Sequence, residues 1–297
     1  MIVVVGVDPT RRSASAVHLA RLLARSAQGK LVLAAVVPAT WGPVAGRVDA
    51  EWRRYTHDAA NLALDYAAAV LGDTVEAQYL VHEAQSTRGG LLEVAEQHKA
   101  DFIVLGSGSD GAPGRVTIGA DGDAILHAST APVVVAPRGF RAGPGAAVGR
   151  ITGAVQGAAA EEVLVREMAS LAVRWNVEFR LASFAVIPRD SGTSGAGHDV
   201  GERIADEWSK GSISRLSELL ANVSDAARVD KPVVGRGPTW ESAVANIGWR
   251  EDELLVLGSS ERGPISQVFL GSRAAKITRS TQVPVVILPQ RHSRSTT

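Results

Sequence analysis

Residues 100–137 read ADFIVLGSGSDGAPGRVTIGADGDAILHASTAPVVVAP, and residues 252–289 read DELLVLGSSERGPISQVFLGSRAAKITRSTQVPVVILP. Each stretch has the pattern of a strand, a glycine-rich loop, a short helix and a second strand. Three residues recur at one constant offset: Gly106 as Gly258, Gly119 as Gly271 and Pro132 as Pro284. Because random apolar patterning does not hold three such residues in register, the chain contains an internal duplication.

The composition restricts the class of protein. A chain of 297 residues suits two domains of ordinary size. Lys+Arg and Asp+Glu both number 31, so the basic surplus of a nucleic-acid or anionic-membrane binder is missing. The absence of cysteine excludes disulfides, thiolate metal sites and a cysteine nucleophile, and it fits a cytoplasmic location. Neither a signal peptide nor a membrane-spanning run is expected.

Strands and helices alternate along the first copy. Strands are predicted at 2–7, 30–37, 75–81, 101–106 and 132–136, and helices at 13–27, 51–71, 89–99 and 119–129. The second copy repeats this order, with strands at 151–155, 177–187, 228–234 and 253–258 ahead of its matched C-terminal part. The predicted domains are 1–138 and 150–290, joined by a Gly/Pro-containing linker at 139–149 and followed by a disordered tail at 291–297.

Alternation of this kind predicts parallel βαβ units with right-handed crossovers. The expected fold class is α/β, with two tandem doubly wound domains, each a five-stranded parallel sheet of strand order 3-2-1-4-5. Ligands of such sheets bind outside the carboxyl ends of the strands, where strand order reverses. Asp8 and the loop after Gly106 should therefore face one crevice. A carboxylate there can accept from an exocyclic amine, and loop and helix N–H groups can hold phosphates.

The glycine spacing resembles the signature of the universal stress protein family, which is Gly-x-x-Gly, nine residues, then Gly-Ser/Thr. The second copy has Gly258, Glu261, Gly271 and Ser272 at these positions, and the first has Gly106, Ser109, Gly119 and Ala120. The resemblance spans nearly the whole chain as two tandem domains. It implies an adenine nucleotide α-hydrolase-like fold and a cytoplasmic stress-response protein that is not an enzyme. Many members bind ATP.

The resemblance also implies partners and site residues. The terminal strand commonly builds dimers in this family, so the two domains are expected to pair with each other, with a homodimer as a further option. ATP is the one cofactor considered, and no catalytic residue or metal site is expected. The candidate nucleotide-binding residues are Asp8, Val36, Gly106, Gly108, Ser109, Gly119, Gly258, Ser260, Gly271, Ser272 and Arg273.

Both copies depart from the pattern of ATP-binding members. The second glycine of the signature, which lets the backbone approach phosphates, is replaced by Ser109 and by Glu261. The first copy keeps Asp8 but has Asp121 and Asp123 in the first turn of its short helix, where they would repel a triphosphate. The second copy has a good anion end at Gly271–Arg273, but Asp8 is expected to align with apolar Val155. The sequence therefore predicts two degenerate sites with weak or no ATP binding.

Simpler explanations exist for the singled-out residues. Asp8 can open a turn with Pro9, the glycines can serve packing alone, and His127 can be a structural or surface histidine.

Competing chemistries lack their context. A Rossmann-like glycine triplet begins at Gly106, but it follows the fourth strand instead of the first. A phosphate-loop motif and a nucleophile elbow are absent, and His82-Glu83 is not part of a metal-ligand set. A phosphoacceptor receiver would need further acidic and lysine residues that the strand ends do not supply. Three functions remain: a regulatory module with degenerate sites, an adenine-nucleotide sensor and, with the least support, an ATPase or nucleotidyl enzyme.

Overall fold

The computed structural model describes residues 1–9, 14–39, 46–187, 195–223, 227–259 and 270–289. Within these residues the chain forms two compact units. The first contains the described parts of 1–147 together with Ser259, Leu270 and 284–289, and the second contains those of 148–258 and 271–283. The last strand of the second sequence repeat thus packs with the first unit.

Five strands and four helices alternate in the first sequence repeat. They are β1 (Ile2–Val7), α1 (Ser15–Ser26), β2 (Lys30–Pro38), α2 (Gly46–Leu71), β3 (Ala77–Ala84), α3 (Thr87–Gln97), β4 (Phe102–Gly106), α4 (Ala120–Ala128) and β5 (Val133–Ala136). The second repeat contains β6 (Arg150–Ala154), α5 (Glu162–Trp175), β7 (Glu178–Val186), α6 (Gly195–Ala221), β8 (Arg228–Val229), β9 (Val233–Gly237), α7 (Trp240–Ala245), β10 (Glu253–Gly258), α8 (Ser272–Ser280) and β11 (Val285–Leu288).

The sheet of the first unit has the predicted order. Its strands run β3-β2-β1-β4-β5, and each neighbouring pair is parallel. Beyond β5 the sheet adds β11, which is antiparallel and places Val285 opposite Val135 and Val286 opposite Val134. The continuous apolar run of β1 is explained by burial on both faces, since Val3, Val4 and Val5 are fully buried.

In the second unit the order is β10-β6-β7, with parallel pairing throughout. The third strand was predicted as one element at 228–234, and this is wrong. β8 and β9 are separate strands that both pair with β7. Pro232 lies between them and has no N–H to donate to a ladder, so the strand is interrupted there.

A buried ionic cluster lies at the amino ends of β6 and β10. The Glu253 carboxylate is 1% exposed and accepts from the guanidinium groups of Arg150 at 2.7 Å and Arg180 at 2.9 Å. It also accepts from Thr152 Oγ1 and, at 2.9 Å, from the backbone N–H of Arg250. Burial lowers the pKa of Arg180, and the charge of Glu253 opposes this shift. The Glu253 carboxylate is therefore shared by two buried cations, and Arg150 also pairs with Asp230 at 3.4 Å.

None of the helices in the described ranges combines the length and the apolar character needed to cross a membrane.

Candidate functional site

The strand register of the first unit brings the predicted crevice residues to one edge of the sheet. β1 and β4 are parallel neighbours, with Val5 opposite Val104, so Asp8 and the loop after Gly106 both follow carboxyl ends of adjacent strands. Asp8 is exposed there. Val36 is 8% exposed, and its Cγ1 would lie 2.6 Å from a Cβ added at Gly90 of α3. Val36 is therefore covered by α3 as part of the core.

The loop between β4 and α4 is held by hydrogen bonds within the loop and to Arg138. Its backbone N–H groups donate within the unit: Gly108 to Thr117 O at 2.8 Å, Gly114 to Arg138 O at 2.8 Å, and Thr117 to Ser107 Oγ at 3.1 Å. The Arg138 guanidinium in turn donates to the carbonyls of Ser109 at 2.9 Å and Gly111 at 2.6 Å. These loop N–H groups already have acceptors, so a phosphate would have to compete with the loop's own bonds.

Two predicted glycines of the first unit meet at the start of α4. A Cβ on Gly108 would lie 3.5 Å from both N and Cα of Gly119, so the two backbones approach closely. Gly119 is the N-cap of α4 and gives no side-chain cap, while Asp121 and Asp123 occupy the first turn. Their carboxylates complement the helix dipole and lower its attraction for a bound anion.

The pairing of β6 with β10 fixes which residues of the two repeats correspond. In the first repeat Val3 pairs with Phe102, and in the second Ile151 pairs with Leu254. Phe102 and Leu254 are equivalent positions of the two repeats, so their partners Val3 and Ile151 are equivalent as well. Asp8 follows Val3 at the same distance in sequence as Gln156 follows Ile151, so Asp8 corresponds to Gln156. The expected alignment of Asp8 with Val155 is wrong by one residue: Val155 is buried, and its N–H donates to Ala182 O at 3.0 Å.

The crevice of the second unit contains a carboxylate from its own chain. Glu161 accepts from the N–H of Gln156 at 3.0 Å to each of its oxygens, and from the N–H of Ala158 at 2.8 Å. Both donors lie in the loop after β6, at the carboxyl edge of the sheet where doubly wound domains bind their ligands. The arrangement is half of a capping box, because a glutamate three residues after Ala158 reaches back to its N–H.

Arg273 in the first turn of α8 also has partners within the unit. Its guanidinium donates to the Phe184 carbonyl and, at 3.4 Å, to Gln156 Oε1. It lies over the Trp240 ring, 5.5 Å from the centroid, and Lys276 approaches the same ring at 5.8 Å. Burial lowers the pKa of Arg273, and the negative charge of Glu161 partly offsets that effect. The predicted anion-binding arginine is thus held by a carbonyl, an amide and an aromatic face.

The remaining predicted residues of the second unit lie at the end of β10 and at the start of α8. Gly258 ends β10 at a position where a Cβ would lie 2.4 Å from Leu164 Cδ2, so the Leu164 side chain of α5 packs closely against this glycine. Gly271 is the N-cap of α8, without a side-chain cap, and Ser272 begins the helix. Ser260 and Glu261 lie outside the described residues.

Four groups of this crevice escaped the sequence analysis: Gln156, Glu161, Trp240 and the Phe184 carbonyl. Of these four, only the contact of Glu161 could be predicted from a sequence pattern, since a glutamate at the third position of a helix often accepts from the N–H of the N-cap residue. Its partner is Ala158 instead of the usual Ser or Thr, which hides that signal. Among the described residues no group of three or more His, Asp or Glu side chains is arranged to hold a metal ion.

Comparison with known proteins agrees with this architecture. The family model described as the universal stress protein family matches residues 1–137 and 148–289. Universal stress proteins of Mycobacterium bovis and Mycobacterium tuberculosis are each 33% identical over 294 residues, covering 97% of this chain and 100% of the relative.

Solved structures give the same fold at low identity. A functionally unknown protein of Pseudomonas aeruginosa has a TM-score of 0.56 at 13% identity, covering 97% of this chain and 92% of its own. A universal stress protein of Archaeoglobus fulgidus has a TM-score of 0.55 at 14% identity, covering 97% and 98%. With its two matched segments and its full-length relatives, the chain belongs to the universal stress protein family.

Proposed function

We propose that the protein is a cytoplasmic, non-enzymatic regulatory module of the stress response, in which both nucleotide-type crevices bind ATP weakly or not at all. The observation that carries the proposal is the position of Glu161. Its carboxylate occupies the N–H groups of Gln156 and Ala158, as an anionic ligand would. A nucleotide phosphate held at Arg273 would meet this carboxylate as a like charge, because Glu161 is close enough to raise the pKa of Arg273.

The first crevice supports the proposal for a different reason. The N–H groups of Gly108, Gly114 and Thr117 have acceptors inside the unit, and Asp121 and Asp123 lie at the start of α4. An incoming phosphate would gain few new hydrogen bonds and would meet two carboxylates. The electrostatic preference of a helix N-terminus for an anion is therefore already satisfied.

The alternative function is an adenine-nucleotide sensor that uses at least one crevice. Two observations favour it: Asp8 is exposed at the carboxyl end of β1, and Gln156 has an amide oxygen at the equivalent position. Either group can accept from the exocyclic amine of adenine. ATP is the only cofactor that this alternative requires.

Pairing of the two repeats through their terminal strands is part of the same proposal. Its support is the antiparallel alignment of β11 with β5. The proposal also places the two domains at 1–138 and 150–290, joined by a linker at 139–149.

Titration calorimetry of the nucleotide-free full chain with Mg-ATP tests the choice. The proposal expects no heat of binding up to millimolar ATP. A micromolar dissociation constant would overturn it in favour of the sensor. In that case Asp8→Ala and Gly271→Glu, each in an otherwise unchanged chain, would identify the crevice that binds, because each substitution alters one unit.

A further inference from the structure

The long helix α2 has a second apolar face that the fold does not use. Its core face consists of the buried residues Ala60, Ala63, Leu64, Ala67 and Leu71. A separate apolar stripe, formed by Trp52, Tyr55, Leu62 and Tyr66, is exposed by 56%, 66%, 56% and 38%. At about 100° per residue, the stripe lies roughly a third of a turn from the core face. Four large apolar side chains in solvent on one helix face are typical of an interaction surface.

The spacing of the apolar stripe indicates the shape of its partner. Successive members are separated by three, seven and four residues, and Ala59 occupies the gap. This repeat of 3.5 residues is the one that keeps a seam facing another helix. Trp52 and Tyr55 are stacked, with ring centroids 5.8 Å apart, so part of the surface is already ordered. An amphipathic helix laid along the seam would bury all four side chains.

Charge beside the stripe indicates the chemistry of that helix. Glu51, Asp58 and Asp65 recur every seven residues along one edge of the stripe and are all exposed. We call them the acidic row. The opposite edge carries Thr56, Ala63 and Val70, which are uncharged. Complementarity therefore calls for lysine or arginine on one edge of the partner helix only.

The stripe has no counterpart in the described part of α6, the equivalent helix of the second unit. Among the α6 side chains that the structure describes, Ile213 is the one large apolar residue exposed. A partner docking on α2 would thus distinguish the two units of the duplicated chain. From these observations we infer that α2 is the docking surface for an amphipathic helix of another protein, with an aliphatic seam and one basic edge.

Two other occupants fit the surface less well. Two copies of α2 meeting antiparallel would bring their acidic rows together, which costs binding energy through like-charge repulsion. An anionic membrane would be repelled by the same row. Both become outcomes of the test.

The test uses two labelled helical peptides of about three heptads, with leucine along the seam and either lysine or glutamate on one edge. Fluorescence anisotropy with the full chain should give at least about tenfold tighter binding of the lysine peptide. Trp52→Ala should weaken that binding roughly 30-fold, as for a hot-spot residue. Ile213→Ala, which removes an exposed apolar side chain on α6, is the control and should leave the binding unaltered. The double variant Asp58→Lys, Asp65→Lys should reverse the preference.

Each contrary result overturns the inference. The docking inference would be wrong if the lysine peptide did not bind. It would also be wrong if the Asp58→Lys, Asp65→Lys variant still preferred the lysine peptide to the glutamate peptide. A sedimentation mass that falls on Trp52→Ala would make a second copy of the chain the occupant. Flotation with phosphatidylserine vesicles that is lost on Trp52→Ala would make it a membrane. The substituted side chains are exposed, so circular dichroism should confirm that every variant remains folded.

Discussion

The guanidinium of Arg273 donates to Oε1 of Gln156, 3.4 Å away, and so joins the two ends of the second crevice. Gln156 is equivalent to Asp8 of the first unit, and Arg273 lies in the first turn of the helix at which a phosphate is predicted to bind. In this orientation a bound adenine would need the Gln156 amide oxygen, and a bound triphosphate would need the Arg273 guanidinium. Nucleotide binding would therefore have to break the hydrogen bond between these two groups. Polar groups of the second crevice thus satisfy one another within the unit.

Removal of the Glu161 side chain should have two effects. Glu161→Ala should lower the free energy of unfolding by about 1–3 kcal/mol, because the N–H groups of Gln156 and Ala158 lose a charged acceptor. It should also let inorganic sulfate raise the melting temperature beyond the wild-type response, since an anion that binds only the folded state stabilises it. Glu162→Ala, which removes a half-buried carboxylate paired with Arg166, is the control. Equal sulfate responses in all three proteins would contradict the role given to Glu161.

The role of Gly258 can be separated from ligand binding by a pair of substitutions. Gly258→Ala should destabilise the protein by about 1–3 kcal/mol, because the new Cβ would lie 2.4 Å from Leu164 Cδ2. Leu164→Ala in the same chain should relieve most of that strain, giving a favourable coupling in urea unfolding. Gly143→Ala, with no atom within 4 Å of the added Cβ, should stay within about 0.5 kcal/mol of wild type. Additive effects of the two substitutions would contradict this packing argument.

The features that both repeats share could be predicted from the sequence, whereas the contacts particular to the second crevice could not. Strand order and the positions of Gly106, Gly119, Gly258 and Gly271 follow from periodicity and from one constant offset. The alignment of Asp8 failed by one residue because the glycines of β1 and β6, Gly6 and Gly153, suggest a register that the strand pairing does not have. Arg273 contacts Gln156 and Phe184, which are 117 and 89 residues away in sequence. A local sequence pattern cannot predict contacts between residues so far apart.

The ionic cluster around Glu253 should be the most sensitive polar site of the second unit. Glu253→Gln keeps the shape of the side chain but leaves Arg150 and Arg180 without their shared charge, so a loss of about 3–5 kcal/mol is expected. Asp252→Asn tests the neighbouring pair with Arg250, which is more exposed and should cost less than about 1 kcal/mol. Urea unfolding followed by circular dichroism measures both. Equal losses would show that burial of the cluster is not what makes it sensitive.

Stability should fall with acid through His18. Burial lowers the pKa of His18, and the charges of Arg21 and Arg141 lower it further. Its Nδ1 lies 3.1 Å from the Arg21 guanidinium, so it serves as an acceptor when the ring is neutral. Because the unfolded chain binds this proton with an ordinary pKa of about 6.5, the contribution is complete above that pH. It declines as the pH falls from there towards the lower pKa of the folded state.

Unfolding free energies measured between pH 8 and pH 5 should therefore decrease less steeply for His18→Gln than for wild type. His57 and His82, which pair with Glu83 and Glu93, remain in both proteins, so their effect cancels in the difference. His57→Gln, which replaces a histidine that pairs with Glu83, serves as the matched control. Parallel pH curves for wild type and His18→Gln would show that the folded protein accepts a proton at His18 as readily as the unfolded chain does.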